Sequence, residues 1–249
     1  MGGPRPDGHR FAAASDAVAH VFVDALDDEC TVDGPDGHHL QRVRRLQAGE
    51  RVTAADGTGS WREYEVTGAD QGRIELRAAT AAAVEPELTP ALAVAFSLTK
   101  GEKPERVVQQ LTELGVDRIV VLETRRSVAR WDAEKVVAAR GRLERVAREA
   151  AAQSRRARVP RIEALLTLAD VAGHPGLVVG TPAGGPPGAL GAPAGGEWLA
   201  LVGPEGGLDG EERELLGGAP EVGVGPHVLR AETAAVALAS VLTGLRRHP

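Results

Sequence analysis

Two hydrophobic rhythms divide the chain. Up to about residue 79 apolar and polar positions alternate in short runs. RVTAAD and WREYEV flank the turn DGTGS, and that pattern predicts a β-hairpin. Ile74 and Leu76 carry the alternation into a third strand, and a strand-like run, AHVFVDAL, precedes the hairpin. From Ala91 the rhythm changes. ALAVAFSL is continuously apolar, as a strand buried on both faces must be. Pro104 then opens a helix with Val107, Val108, Leu111 and Leu114 on one face, and Gly115 closes it. RIVVLET predicts the next buried strand, followed by a long helix from about Asp132 to Gln153. A short helix (TLADVAG), two strands (GLVVGT, WLALVG), a helix (DGEERELLG), a strand (EVGVG) and an apolar helix (AETAAVALASVLTGL) complete the chain.

Strands alternating with helices predict an α/β domain, a parallel sheet with helices on both faces. The expected organisation is a disordered polar tail over 1–17, a small β-rich domain over 18–79, an Ala/Pro-rich linker over 80–90 and the α/β domain over 91–249. Aromatics are only 3% of the 249 residues, so the core must be built from Ala, Val and Leu. The single cysteine, Cys30, makes neither an internal disulfide nor a cysteine-rich metal site. No apolar run approaches the ~20 residues of a membrane-spanning helix, and the first residues lack the apolar core of a signal peptide. A cytoplasmic protein with no membrane partner is the expectation.

The net charge of −6 argues weakly against a nucleic-acid partner, but its distribution argues for one. Arg118 to Arg161 contains 13 Lys or Arg against 5 Asp or Glu, a local net of +8 that leaves −14 on the rest. Such asymmetry reads as a basic face on an acidic protein, or as a solvated helix rich in arginine. Arginine's planar fork suits phosphate better than a lysine ammonium does.

Three late strands end in Gly/Pro turns: VVGTPAGG, LVGPEGGLDGEE and VGVGPHVLRAET. In open α/β sheets ligands bind outside the carboxyl ends of the strands, and glycine lets the backbone approach them closely. The three loops together predict a pocket for a small molecule with polar edges. Asp209 and Glu212 fit a capping box that fixes the start of the helix after the second loop. The dinucleotide fingerprint is missing: Gly223 and Gly225 begin it, but Val228 stands at the third glycine. A phosphate-binding P-loop is missing too.

HHLQRVRRLQAGERV, TKGEKPERVVQQLTELGVDRI, RRSVARW, AAAQSRRARVPRI, LVGPEGGLDGEE and VGPHVLRAETAAVALA, in that order, resemble the RsmE-type family. These are the 16S ribosomal RNA uridine-N3-methyltransferases of the SPOUT superfamily. The likeness covers nearly the whole chain after residue 18. It implies a PUA-like β-barrel for the N-terminal domain and a C-terminal domain tied in a trefoil knot, a rarity among folds. It also implies S-adenosylmethionine held in the knot by backbone groups, a homodimer, ribosomal RNA of the small subunit as partner, and no metal. The cofactor-binding candidates are Thr181 and Pro182 in the first loop, Gly203, Pro204, Glu205, Gly206 and Gly207 in the second, and Val224, Gly225, Val228 and Leu229 in the third. RNA-binding candidates are Arg42, Arg44, Arg45, Arg125, Arg126, Arg155 and Arg156.

Arg230 and Glu232, just before the apolar last helix, are either a structural ion pair or a catalytic pair facing substrate and cofactor. In the catalytic reading Arg230 stabilises charge on a uracil carbonyl oxygen, and Glu232 is base or orienter. Glu205 is either a turn carboxylate or a partner for the cofactor. His38 and His39 read as surface or packing residues, since no carboxylate cluster with ligand spacing accompanies them. Trp61 reads as core packing, with base stacking the other possibility. Two further readings stand beside the first: another SPOUT enzyme acting on transfer RNA or a ribose hydroxyl, and a non-catalytic RNA-binding assembly factor.

Overall fold

The computed structural model describes residues 11–98, 103–127 and 129–246, with the side chains of His39, Val43 and Arg44 outside the described set. The chain forms two compact units. One comprises residues up to Pro86 together with Ala151–Val159, and the other Glu87–Ala150 with Pro160–Pro249.

The first unit is a six-stranded sheet. Strands β1 (Ala19–Phe22), β2 (Glu29–Val32), β3 (Arg51–Ala55), β4 (Ser60–Asp70) and β5 (Arg73–Ala78) lie in the order β1-β3-β4-β5-β2, and β6 (Ala83–Val84) pairs with β4. Strands β1 and β3 are buried on both faces, whereas β5 alternates between buried and exposed positions. Val21, Val32, Val52, Ala54, Tyr64, Val66, Ile74 and Leu76 share a core with Leu40 and Leu46. Leu40 ends helix α1 (Gly34–His39) as its C-cap.

Two boundaries differ from the sequence expectation. Residues 1–10 lie outside the described set, but Ala12–Ala14 form a 3-10 turn. Ala12 packs with Phe22, Ala55, Trp61, Ala151 and Ala157 in a second cluster. The supposed linker contributes β6, and Glu85 is buried, accepting from the Ala157 amide. Small alanines that fill gaps between larger side chains look like tail and linker in composition, and only packing distinguishes them. Trp61 is 2% exposed, so its ring is core.

His20, buried on β1, joins the returning segment to the sheet. Its Nε2 lies 3.1 Å from the Arg156 carbonyl and its Nδ1 2.7 Å from the Thr53 hydroxyl. A carbonyl only accepts, so Nε2 carries the proton and Nδ1 accepts from Thr53. Burial lowers the imidazole pKa from 6.5 to about 4.

The second unit is a parallel six-stranded sheet. Its strands are β7 (Ala91–Ser97), β8 (Arg118–Glu123), β9 (Arg161–Thr167), β10 (Leu177–Gly185), β11 (Glu197–Val202) and β12 (Glu221–Val222), in the order β12-β10-β11-β7-β8-β9. Helices α2 (Lys103–Glu113), α3 (Ala133–Ser154), α4 (Leu168–Ala172), α5 (Gly210–Leu215) and α6 (Ala231–Leu245) connect or follow them. Both faces are covered, which is why β7, β8 and β11 are continuously apolar. Ala93, Ala95, Val120, Leu122, Leu199 and Leu201 pack with Leu168 and Val171 of α4 and with Leu208 and Leu216 beside α5. Toward α6 the sheet offers Gly180, where a Cβ would stand only 3.1 Å from Leu238 Cδ2. Strand β9 had no sequence signal of its own. It is an edge strand with half-exposed side chains, interrupted by Leu165 at φ 57°.

At the far end of α6 Arg246 is 7% exposed and fully engaged. Its guanidinium donates to the carbonyls of Leu88, Pro90 and Gly115 and pairs with Asp117. Replacing it by Met leaves three carbonyls without this donor and Asp117 without its cation, with only the Leu92 amide, among the described residues, still donating to the carboxylate. Loss of one partner of such a pair costs about 3–5 kcal/mol, so Arg246→Met should lower the urea-unfolding free energy by about that amount. A change below 1 kcal/mol would contradict the clamp.

His20 gives a pH prediction. Above pH 6.5 the imidazole is neutral in folded and unfolded chains alike. Between 6.5 and about 4 the unfolded chain binds a proton that the folded one refuses, so stability falls as pH drops through that window. The unfolding midpoint of wild type should therefore fall more steeply between pH 6.5 and 4 than that of His20→Gln. Parallel curves for the two proteins would remove His20 as the source.

Candidate functional site

The carboxyl ends of β10, β11 and β12 open on a cavity of about 340 Å³. Val179 to Pro182 form one wall, and Val202 to Glu205 with Gly207 and Leu208 a second. Val222, Val224, Gly225 and His227 to Leu229 form a third, with Ala231, Ala234 and Leu238 of α6 beside it. Arg213 and Leu216 of the α5 segment, with Gly218 and Ala219, close the remainder.

Of the residues expected here from sequence, Thr181, Pro182, Gly203, Pro204, Glu205, Gly207, Val224, Gly225, Val228 and Leu229 line the cavity. Gly206 does not. A Cβ at Gly206 would meet only Arg126 Cβ and Cδ, at 3.6 Å, and Arg126 does not line the cavity either. The turn explains why. The Gly207 amide donates to the Pro204 carbonyl, so Glu205 and Gly206 form its apex and Gly207, at φ 68°, re-enters the wall. Sequence reasoning missed Arg213, Glu221 and His227. Arg213 had a usable signal: it stands one helical turn after the cap Asp209 and so faces the same loop.

Backbones approach closely where β10 runs on past the first wall to meet β12. A Cβ on Gly184 would lie 2.3 Å from the Val222 carbonyl carbon. Only glycine allows this contact, and the Gly223 amide donates across it to the Gly185 carbonyl.

The second wall is fixed by a buried carboxylate. Glu212 is 4% exposed. Its Oε2 accepts from the Asp209 amide at 3.0 Å, and Asp209 Oδ1 accepts from the Glu212 amide at 2.8 Å, the capping box expected from sequence. Its Oε1 reaches outside the box to the Arg125 amide at 2.7 Å, in the loop after β8. The Glu212 amide holds the Asp209 carboxyl below the usual carboxylate range against some desolvation, and Arg125 adds to the effect.

The two catalytic candidates are not paired with each other. Glu232 Oε1 binds Lys103 Nζ at 2.9 Å. That hydrogen bond, opposed in part by desolvation, keeps the Glu232 carboxyl below its ordinary range. Its Oε2 is buried with no hydrogen-bond partner among the described residues. Arg230 is the exposed N-cap residue of α6 and has no ion-pair partner among the described residues. Neither side chain lines the cavity, but Leu229 and Ala231, on either side of Arg230, both do.

The arginines expected on RNA separate. Arg42 and Arg45 are exposed in the first unit, and Arg44 lies outside the described side chains. Arg155 donates to the Ser15 carbonyl at 2.7 Å, and the Arg156 carbonyl receives His20, both within the first unit. Arg125 is held by Asp209 and Glu211, and Arg126 donates to the Gly206 carbonyl at 2.8 Å. The basic stretch is thus divided between the two units, with 151–159 in the first. The part on α3 buries Ala139, Leu143, Ala147 and Ala150 and leaves Arg140, Arg142, Arg145 and Arg148 exposed.

A family model described as an RNA methyltransferase domain matches residues 86–243, and one described as an RNA methyltransferase PUA domain matches residues 32–78. The chain belongs to the RNA methyltransferase family. The first unit is accordingly its PUA-like domain and the parallel sheet its methyltransferase domain. Ribosomal RNA small subunit methyltransferase E of Mycobacterium bovis is 35% identical over 240 residues, 90% of this chain and 91% of that protein. A probable rRNA-methyltransferase from Porphyromonas gingivalis is similar in structure, with a TM-score of 0.76, 25% identity and coverage of 91% and 98%. The Neisseria gonorrhoeae ribosomal RNA small subunit methyltransferase E bound to S-adenosyl methionine has the same fold, with a TM-score of 0.78, 23% identity and coverage of 91% and 97%. No described helix is long and apolar enough to cross a membrane.

Removing the Glu212 carboxylate strands two amides and the Arg125 loop. Hydrogen bonds to a charged group contribute about 1.5–3 kcal/mol each. Glu212→Ala should lower the unfolding free energy by at least about 2 kcal/mol, while Glu211→Ala, whose carboxylate is exposed, should change it by under 1. Equal effects in urea titrations would rule out the special place given to Glu212.

Proposed function

We propose that the chain transfers the methyl group of S-adenosylmethionine to N3 of a uridine in 16S ribosomal RNA. The carrying observation is the cavity at the carboxyl ends of β10, β11 and β12, in a chain that belongs to the RNA methyltransferase family. Its volume falls in the range of small-molecule sites. Its glycine turns present main-chain donors and acceptors, and its apolar members suit an adenosyl group. When bound, S-adenosylmethionine supplies an electrophilic methyl carbon. The carbon–sulfur bond breaks as the nitrogen–carbon bond forms, the sulfur keeps the electron pair, and the N3 proton leaves to solvent or a base.

Residues of the chain have three tasks in this reading. Thr181, Pro182, Gly203, Pro204, Glu205, Gly207, Val224, Gly225, Val228 and Leu229 hold and bend the cofactor, with Gly206 shaping the turn rather than touching the ligand. Arg230, exposed at the cavity rim, offers its guanidinium to the uracil carbonyl oxygen that gains charge as N3 loses its proton. Glu232 is a weak base at its lowered pKa, so its role is to orient, through Lys103 and its unpartnered oxygen. Exposed Arg42, Arg45 and the α3 arginines are the phosphate contacts, Arg140 and Arg142 while also paired with Glu144 and Glu105, whereas Arg125, Arg126 and Arg155 act first as structural ties. A trefoil knot, a homodimer, a cytoplasmic location and the small ribosomal subunit as partner complete the proposal.

Mass spectrometry of ribosomal RNA with and without the gene tests the product: N3-methyluridine should vanish from 16S RNA in the deletion and return on complementation. Arg230→Ala tests the chemistry. It should bind S-adenosylmethionine nearly as wild type yet transfer methyl groups about 10²–10³-fold more slowly in single turnovers, with partial rescue in Arg230→Lys. A wild-type rate for Arg230→Ala would remove the catalytic role.

A further inference from the structure

The charges in the cavity wall are few. Glu205 and Glu221 are acidic, and Arg213 is the only lysine or arginine in the wall among the described residues. Arg213 sits in the last turn of α5, and its Nε donates to the Leu208 carbonyl at 3.3 Å. A Cβ built on Gly207 would lie 3.9 Å from its Nη2, so the guanidinium lies along the Gly207–Leu208 stretch of the second wall. No carboxylate among the described residues is paired with it. The nearby acids are otherwise occupied: Asp209 and Glu211 by Arg125, and Glu212 by two amides.

S-adenosylmethionine carries three formal charges: a sulfonium, an ammonium and one carboxylate at the methionine end. Two acids and one arginine in the wall are the complement of that set. The carboxylate cannot be matched by Glu205 or Glu221, and burying it unpaired against them is costly. We infer that Arg213 is the group that receives the methionine carboxylate, and so determines the pocket's preference for the intact amino-acid tail. The inference rests on the cofactor reading given under Proposed function. The capping box presets α5, and the Leu208 carbonyl holds Nε, so the guanidinium has less ordering left to do at binding. The outer side of Arg213 is exposed, so the pair is partly wet and its effect is modest.

The test uses the full chain, calorimetry, and two ligands: S-adenosylmethionine and its decarboxylated form, which keeps the sulfonium and the amine but lacks the carboxylate. Wild type should bind the intact ligand about tenfold more tightly than the decarboxylated one, the size of a charge-assisted contact reduced by exposure. Arg213→Gln should lose about tenfold for the intact ligand and nothing for the decarboxylated one, so that the preference disappears. Arg213→Lys should recover part of it. Equal losses for both ligands, or no loss for either, would overturn the inference and leave the cofactor site in place. If wild type binds neither ligand, the cofactor reading itself falls.

Discussion

A buried carboxylate organises the second unit's ligand end. Glu212 is removed from water, which is expensive for a charge unless its oxygens are hydrogen-bonded. It is affordable here because two main-chain amides point at it, one from its own helix cap and one from the loop after β8. The same atoms therefore start α5, fix the turn after β11 and tether a loop that is 87 residues distant in sequence. Arg125 and Arg126 reinforce the tether from outside by binding Asp209, Glu211 and the Gly206 carbonyl. A wall of loops is ordinarily the mobile part of an α/β fold. In this protein it is stitched to the sheet at both ends.

The remaining walls are built on backbone proximity. A Cβ would stand 2.3 Å from Val222 at Gly184 and 3.1 Å from Leu238 at Gly180, which shows how closely the chain packs around the cavity. Main-chain groups around the cavity have positions fixed by the sheet, which do not depend on rotamers. Charged side chains are few there: Glu205, Glu221 and Arg213 within the wall, and Arg230 between two lining residues. The arginine-rich segment shows the other side of that economy. Several of its guanidiniums satisfy carbonyls and carboxylates that the folded chain would otherwise leave exposed or unpaired. An arginine count alone overstates the number available to phosphate.

The sequence alone determined the class of each unit, because hydrophobic period is a local property. Mixed apolar and polar runs at Arg51–Ala55 and Ser60–Asp70 on either side of the turn DGTGS specified the hairpin, and the apolar run at Ala91–Ser97 specified a strand covered on both faces. Asp209 and Glu212 fixed a helix start, and the three Gly/Pro turns lie at the strand ends that open on the cavity. What only the tertiary structure decided was non-local. Ala12 and Glu85 belong to the first unit because they meet Ala151 and Ala157 from far along the chain, and no composition window contains both partners. Strand β9 is half-exposed and bent at Leu165, so it has no period to read. Glu232 pairs with Lys103 instead of Arg230, and Gly206 turns outward while Arg213 turns in. Those directions follow from φ angles and from which loop packs beside which, and a linear pattern of residue types does not carry that information.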